Sequence, residues 1–519
     1  MVTRKHTREY VEGEVWRSGT IFTFLPKGEF MKYLLGIDFG GGASKATLLC
    51  ENGEIMATNT TEYPTSYPKP GYAEQNPQDW VNATVENIKG VLSKSGVLPE
   101  DIDCVCFDAA THTAVIMDED FNVLRNSIYW TDTRCTKEVE FLKDNYNDSI
   151  LKKVLHSPGT IWTLPELMWI KNNEPEVFSK IKRILFAKDY VRHFMTGDYV
   201  TDYIEAEGSM MFDINKMAWD EELCSILGID TRLMPEIVKP TDIVGTITKE
   251  ASDITGLAEG TPVICGTTDT VMEVFASGAV SKGQMTLKLA TAGRICVVTD
   301  RAYPDVNLVN YSHVIDGLFY PGTATKSCAA SYRWLRDTFG GDYDELNSLA
   351  EKVPIGSEGV IFHPYLNGEL TPYQNPDLCA SFTGVRAFHN KSHFTRAVLE
   401  GVTMSMLDCK NTLDSMNIDH EDSAQIIGGG GKSPLWRQMI SDALGIKLVQ
   451  MKYADSSFGS AMLAGIASGV FEDEKHALKV CNHVVSETLP NEENTKLYQK
   501  VFERYKAIQK ALEPIYNIR

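Results

Sequence analysis

The stretch YLLGIDFGGGASKATLLC (33–50) constrains the fold more than any other part of the chain. Tyr33 to Ile37 reads as a buried strand, Asp38 stands at its end, Gly40, Gly41 and Gly42 form a turn, and Ala46 to Cys50 reads as the returning strand. A turn this rich in glycine lets backbone N–H groups approach an anion, because no Cβ intervenes. A nucleotide phosphate suits such a turn. Asp38 beside it can hold Mg²⁺ directly or through water, since that ion takes oxygen ligands and keeps several waters. Lys45 adds a positive charge nearby. The same residues also make an ordinary tight turn, so the rest of the chain has to decide between the two readings.

At 519 residues the chain exceeds the size at which a single core stops growing, so at least two domains are expected. Fifty Lys and Arg against 70 Asp and Glu give a net charge of −20, which argues against nucleic acid or an anionic membrane as partner. Local basic contacts to ATP remain compatible with that balance. No uninterrupted apolar run reaches membrane-spanning length. The 11 cysteines are scattered singly, apart from Cys104 and Cys106, with neither a CxxC pair nor a zinc-like Cys/His spacing. Their odd number, without a signal peptide, points to reduced thiols in the cytoplasm. Residues 1–30 mix Arg4, Lys5 and Arg8 with Glu9, Glu12 and Glu14 and read as an extension outside the fold.

After the hairpin, a third strand is expected near Ile55 to Tyr63, followed by a proline-rich loop. Asn76 and Pro77 open a helix whose Val81, Val85, Ile88 and Leu92 recur at helical spacing before Gly96 ends it. Asp103 to Phe107 is the next strand, and the order is α/β. Thr111 and His112 leave its carboxyl end, where ligands of α/β sheets gather, although a lone histidine also serves as a structural residue. In SIYWTDTRC (127–135), Trp130 is either core or a face for a sugar ring. Residues 136–240 are mainly helical in pattern. Asp269, between the strand Thr261 to Cys265 and an apolar helical run, reads both as a helix N-cap and as a general base aimed into a cleft.

MTLKLATAGRICVV (285–298) repeats the opening arrangement of strand, small-residue turn and strand, a weak internal duplication. IIGGGG (426–431) is a strand running into a glycine turn, suited to an adenine ring lying on bare backbone and also to tight packing. SSFGSAMLAGIASG (456–469) reads as a closely packed helix, and Asn494 to Leu512 as a charged one.

Taken together, these motifs give residues 31–515 a resemblance to the FGGY family of carbohydrate kinases, in the actin, sugar-kinase and heat-shock ATPase superfamily. ASFTGVRAFHNKSHFTRAVLE (380–400) resembles the family's second signature, GIDFGGGASK and LATAG its two phosphate hairpins, and IIGGGG its adenosine loop. AEQNPQDW, WTDTRC, KDYVRHFMTGDY and GTTDT fall in the family's order.

The resemblance implies two RNase H-like α/β domains with an active-site cleft between them, spanning residues 31–278 and 279–519, and a reaction in which ATP phosphorylates a sugar or polyol. In that reading Asp269 is the general base, ionised at pH 7 if its pKa stays near the free value of about 3.9. Asp38 is the Mg²⁺-associated carboxylate. Gly40, Gly41, Gly42, Lys45 and Thr291 meet the phosphates, Gly429, Gly430 and Gly431 the adenosine, and Thr111, His112 and Trp130 the sugar. Three positions depart from the family: Gly41 for threonine, Glu166 for lysine and Leu370 for arginine.

The nearest overall resemblance is to xylulose kinases. Ribulose, L-xylulose, glycerol and gluconate are the alternatives, gluconate being disfavoured because Arg134 is the one evident cation in the expected pocket segments. A sugar-responsive regulator or ATP-binding scaffold on the same fold would not need both Asp38 and Asp269. A homodimer is common among relatives. The last helix is expected to pack back on the first domain.

Overall fold

In the computed structural model, residues 31–516 and 518 are described, so the expectation for residues 1–30 lies outside them. The opening hairpin forms as Tyr33–Phe39 and Ala43–Cys50, each strand longer than the apolar run alone suggests. Asp38 therefore lies within the ladder, opposite Lys45. Antiparallel Ile55–Glu62 follows, and the parallel strand Ile102–Ala109 packs on the other side of Tyr33–Phe39. Pro262–Ile264 and Ile243–Thr246 complete this side, while Thr267–Thr268 also pairs with Ile102–Ala109, giving a seven-stranded sheet.

The second sheet has six strands and the same pattern. Gly322–Thr325, Gly293–Val297 and Met285–Leu289 form an antiparallel meander, then Ser423–Ile427 and Lys447–Met451 run parallel to it, and Val484–Thr488 closes antiparallel. The repetition hinted at by MTLKLATAG thus extends from one hairpin to a whole sheet. Two α/β domains result, each with its own core: Ile37, Leu48, Trp80 and Phe107 in the first, Leu287, Phe362, Leu399 and Trp436 in the second.

Helix Pro77–Ser95 covers the first sheet as its sequence signals require. Asn76 caps it by accepting from the Gln78 N–H, and Gly96 takes the left-handed conformation (φ 68°) that ends it. The 136–240 region carries the expected helices, interleaved with short strands such as Arg183–Phe186, which pairs with Ala114–Met117. Among the described residues no helix is long and apolar enough to cross a membrane.

Two helices of the second half of the chain behave differently from each other. The final helix, Glu492–Tyr516, packs on the second domain rather than the first, contrary to expectation. Arg396 donates to the Tyr498 hydroxyl, and Lys506 pairs with Asp408 at 2.7 Å, so charged partners on Lys391–Ser415 hold it there. Helix Ser456–Ala467 is the one that crosses to the first sheet. Its approach is backbone to backbone: a Cβ at Gly36 would lie 2.0 Å from the Ser457 carbonyl oxygen, and one at Gly459 2.6 Å from that of Met272. Those glycines are required by contact, as the small-residue pattern of this helix suggested.

Candidate active site

Strand register builds the site. Lys45 pairs with Asp38, Asp38 with Asp108, and Asp108 with Thr267, so these four side chains stand in one row across the first sheet, at the carboxyl ends of its parallel strands. Asp269 follows Thr267 by two residues and begins helix Asp269–Ala276. Thr268 occupies the N-cap position, so Asp269 is the first helical residue rather than the cap, and Thr270 Oγ donates to its Oδ1 at 3.1 Å.

The N-terminal turn of helix Ser456–Ala467 closes over this row. Ser460 Oγ donates to Asp108 Oδ2 at 2.5 Å, Ser457 meets Thr47 at 2.7 Å, and Ser456 hydrogen-bonds Asp38. Asp455 caps the helix and takes the Lys45 ammonium at 2.9 Å. Lys45, expected at a nucleotide phosphate, is therefore paired with Asp455 here.

Such crowding raises the carboxylates. Burial pushes Asp38 up to about 6, with the charges of Glu273 and Asp455 adding to it against hydrogen bonds from Asp108 and Ser456. Asp108, fully buried and hydrogen-bonded to Asp38, rises well above the usual range, first through burial and then through the Asp38 charge. Two carboxyls in contact share a proton, and Asp108 is the one that keeps it. Burial, Glu273 and Asp38 together push Asp269 up to about 8, with Lys288 opposing. The free-acid value expected from sequence does not survive the loss of solvent. The Asp38 charge is thus among the causes that raise Asp269. Glu273 and Lys288, which act on it with opposite sign, form an ion pair with each other.

His112 sits beside this row in a left-handed conformation (φ 66°), its N–H donating to Glu205 Oε1 at 2.6 Å. Burial lowers it to about 3, so the ring is neutral. Its Nε2 lies 3.2 Å from the Tyr311 hydroxyl, which also hydrogen-bonds Thr111. Glu205 belongs to helix Tyr203–Gly208, capped by Asp202. Asp202 also accepts from Thr267 Oγ1 at 2.8 Å and pairs with buried Lys188 at 2.9 Å. The KDY motif thus ties His112 and the Asp269 strand to one buried charge network. Trp130 is 44% exposed, on the rim beside Tyr129 rather than in the core.

On the other side, the turn of the second hairpin holds Thr291, whose Oγ1 accepts from Arg333 at 2.9 Å. The four glycines after Ser423–Ile427 divide into two kinds. A Cβ at Gly428 or Gly430 would strike the Leu289 segment at 2.6 and 2.9 Å, and one at Gly431 would press on Ile426 at 3.1 Å, whereas Gly429 faces open space. Of the four, Gly429 is the one where a side chain would meet nothing, and Gly431 is the buried one. In the first hairpin a Cβ at Gly41 would lie 2.8 Å from the Tyr129 hydroxyl, so Tyr129 fills the space that a larger residue would need. Glu166 is buried, and burial pushes its carboxyl well above the usual range, so it enters the core neutral.

Several residues of this site carry no signal in the sequence reading: Asp108, Glu205, Ser456, Ser460, Tyr311 and Arg294. Asp108 could have been found, since FDAA (107–110) ends its strand with an aspartate just as IDFG (37–40) does. Arg134 was singled out as the pocket's cation, but it is held by Asp132 and Glu74 and lies over the Tyr72 ring.

A duplicated sheet, with carboxylates on neighbouring strand ends in the first domain and a glycine turn after a parallel strand in the second, is the arrangement of the sugar-kinase class of the actin-like ATPase fold. Residues 33–276 match the N-terminal domain, and residues 263–468 the C-terminal domain, of the FGGY family of carbohydrate kinases. The chain is 32% identical to the xylulose kinase of Bacillus subtilis (strain 168), covering 92% of this chain and 97% of the relative. It is 29% identical to the gluconokinase of the same strain, covering 93% and 97%. A ligand-bound xylulose kinase from Lactobacillus acidophilus superposes with a TM-score of 0.88 at 27% identity, over 93% of this chain and 99% of that one. The chain belongs to the FGGY family and is a carbohydrate kinase.

Proposed function

We propose that this kinase transfers the γ-phosphoryl group of ATP to a hydroxyl of a ketopentose, xylulose being the best-supported substrate. The observation that carries the reading is the row of Asp38, Asp108 and Thr267 on adjacent strand ends, with Asp269 two residues beyond and neutral His112 three residues after the strand that carries Asp108. Asp269 takes the proton of the attacking hydroxyl in this reading, and its raised pKa suits a base working near neutrality better than a free aspartate would. Thr111, His112 and Trp130 orient the sugar, and Gly40 to Gly42, Thr291 and the open face of Gly429 receive the nucleotide. Gly430 and Gly431 support that loop by packing.

Magnesium fits this donor set in one mode. Among the described residues no group of three or more His, Cys, Asp or Glu forms a cage, but Asp38 and Asp108 stand opposite each other on neighbouring strands as a buried carboxyl pair. One or two carboxylates suffice for an ion that arrives on nucleotide phosphates. Asp38 would hold it, and when bound it would neutralise phosphate charge. The 11 unpaired cysteines, ten of them buried, suit a reducing cytoplasm.

The test is ADP release with MgATP across ketopentoses, pentitols, glycerol and aldonates. Xylulose should stimulate it most, and Asp269→Asn should abolish the stimulation while the protein stays folded. If no ketopentose stimulates ADP release in the wild type, the substrate reading fails.

A further inference from the structure

Beyond the acid row, the described residues hold a second cluster of polar groups that the phosphoryl-transfer chemistry leaves unused. Three features converge on it. Arg294 follows the turn of the second hairpin, and its Nε and Nη2 are buried without hydrogen-bond partners. Its guanidinium lies 5.3 Å from the centre of the Tyr311 ring and 5.5 Å from that of Tyr320. His156, 1% exposed, has both ring nitrogens buried and unpartnered, and its ring stacks on Trp162 at 4.3 Å and lies 5.1 Å from that of Tyr311. His112 Nδ1 also lacks a hydrogen bond, although Glu205 Oε1 lies 3.5 Å from it.

These groups come from both halves of the chain and are held at their junction. Asn310 Nδ2 donates to the Leu155 carbonyl, Tyr311 meets His112, and the Ser312 N–H donates to Glu207. Successive residues of one segment are thus fastened to the first domain, and Leu155 stands next to His156. The acidic neighbour of Arg294 is Glu273, already paired with Lys288; the other groups facing it are the Cys296 thiol and the two tyrosines. A guanidinium without a carboxylate of its own, beside a histidine without partners, is costly to keep unless a ligand completes it.

The shape of the unpartnered edge narrows the ligand. Nε and Nη2 share one edge of the planar guanidinium, and their N–H bonds point the same way, a fork that matches two adjacent acceptor oxygens. We propose that Arg294, assisted by His156, is a specificity-determining residue that clasps two adjacent oxygens at the end of the substrate remote from the phosphorylated hydroxyl. In an open-chain ketose these are the C2 carbonyl and the C1 hydroxyl; in an aldonate they are the carboxylate. This rests on the sugar-kinase reading and deepens it. The sugar reaches the clasp as the two halves part, and Tyr311 closes against His112 over it.

The experiment compares the wild type with Arg294→Met, Arg294→Lys and His156→Phe, measuring kcat/KM for xylulose, ribulose, xylitol, arabinitol, xylonate and gluconate. Sugar binding is followed separately by thermal shift. For a ketose clasp, Arg294→Met lowers kcat/KM for ketopentoses about 30-fold, mainly through KM, the range expected for hydrogen bonds to a charged group. The ketose-to-pentitol ratio falls about tenfold, because a pentitol has no carbonyl for the fork and its hydroxyls can turn to other partners. Arg294→Lys keeps the charge but not the fork and recovers only part of the loss, which also serves if the Met variant folds poorly. If the source is a carboxylate, aldonates are the better wild-type substrates and lose most in both variants. An unchanged ketose-to-pentitol ratio in Arg294→Met, in a wild type that does phosphorylate ketopentoses, overturns the clasp and leaves the kinase reading standing. A wild type that neither binds nor turns over any ketose or aldonate overturns both.

Discussion

Replacing Asp269 with asparagine should make the protein more stable, and by an amount that depends on pH. The carboxyl rises from 3.8 to about 8 in the fold, first because burial strips its water and then because Glu273 and Asp38 are negative nearby. At about 1.4 kcal/mol per pH unit, that rise sets a ceiling of about 6 kcal/mol on what the ionised aspartate costs the folded state. Below pH 4 the carboxyl is protonated in both folded and unfolded chains, so asparagine gains nothing. Between pH 4 and 8 the unfolded chain has released the proton that the folded one retains, and stability falls with each step up in pH. Above 8 both are ionised and the difference levels off. Urea unfolding of the two proteins at pH 5, 6.5 and 8.5 measures the gap, which should widen steadily to several kcal/mol. The same carboxylate must be ionised to act as a base, so wild-type kcat/KM for the sugar should climb as pH rises toward 8. A gap that is constant with pH, or a variant less stable at every pH, would refute the burial argument.

Two substitutions probe the supports of the site. A Cβ at Gly208 would fall 1.6 Å from His112 Cε1, so Gly208→Ala must displace that ring; kcat/KM for the sugar should drop by about 100-fold, on the order of 3 kcal/mol, while affinity for an ATP analogue holds, and an unchanged sugar KM counts against His112 as a sugar contact. Gly41→Thr should cost about 1–3 kcal/mol by overpacking against Tyr129 and raise the KM for ATP. Adding Tyr129→Phe removes the oxygen that lies 2.8 Å from the new Cβ and should restore most of the loss; equal defects in the single and double variants would show that the two positions are not coupled.

Asp38, Asp269 and the glycine turns were legible in the sequence because each is a local event: a carboxylate at a strand end, a turn without side chains, an apolar helix starting. The α/β order and the second hairpin were legible for the same reason, since periodicity reports elements one at a time. Asp108 was missed because its importance lies in register, the fact that Ile102–Ala109 runs beside Tyr33–Phe39 with Asp108 opposite Asp38. Nothing in one strand states which residue its neighbour will present. Arg294, Tyr311 and His156 were missed for a stronger reason: they meet at the junction of two halves, at separations in sequence that no local pattern spans. The value assumed for Asp269 failed likewise, because desolvation belongs to the assembled site.

The same logic explains why a helix from the far end of the chain belongs to the carboxylate row. Four residues at the start of Ser456–Ala467 engage the first sheet: Asp455 takes Lys45, Ser456 bonds Asp38, Ser457 meets Thr47, and Ser460 donates to Asp108. A helix N-terminus favours negative charge, so its placement there offsets part of the burial that raises Asp38 and helps it remain the ionised member of the pair. That placement is possible only because Gly36 and Gly459 let the helix meet strand and helix backbones without intervening side chains. The acidity of the site is therefore set by small residues whose own chemistry is nil. Their contribution is the approach they allow, and it ties the ionisation of Asp38 to the packing of the second half of the chain against the first.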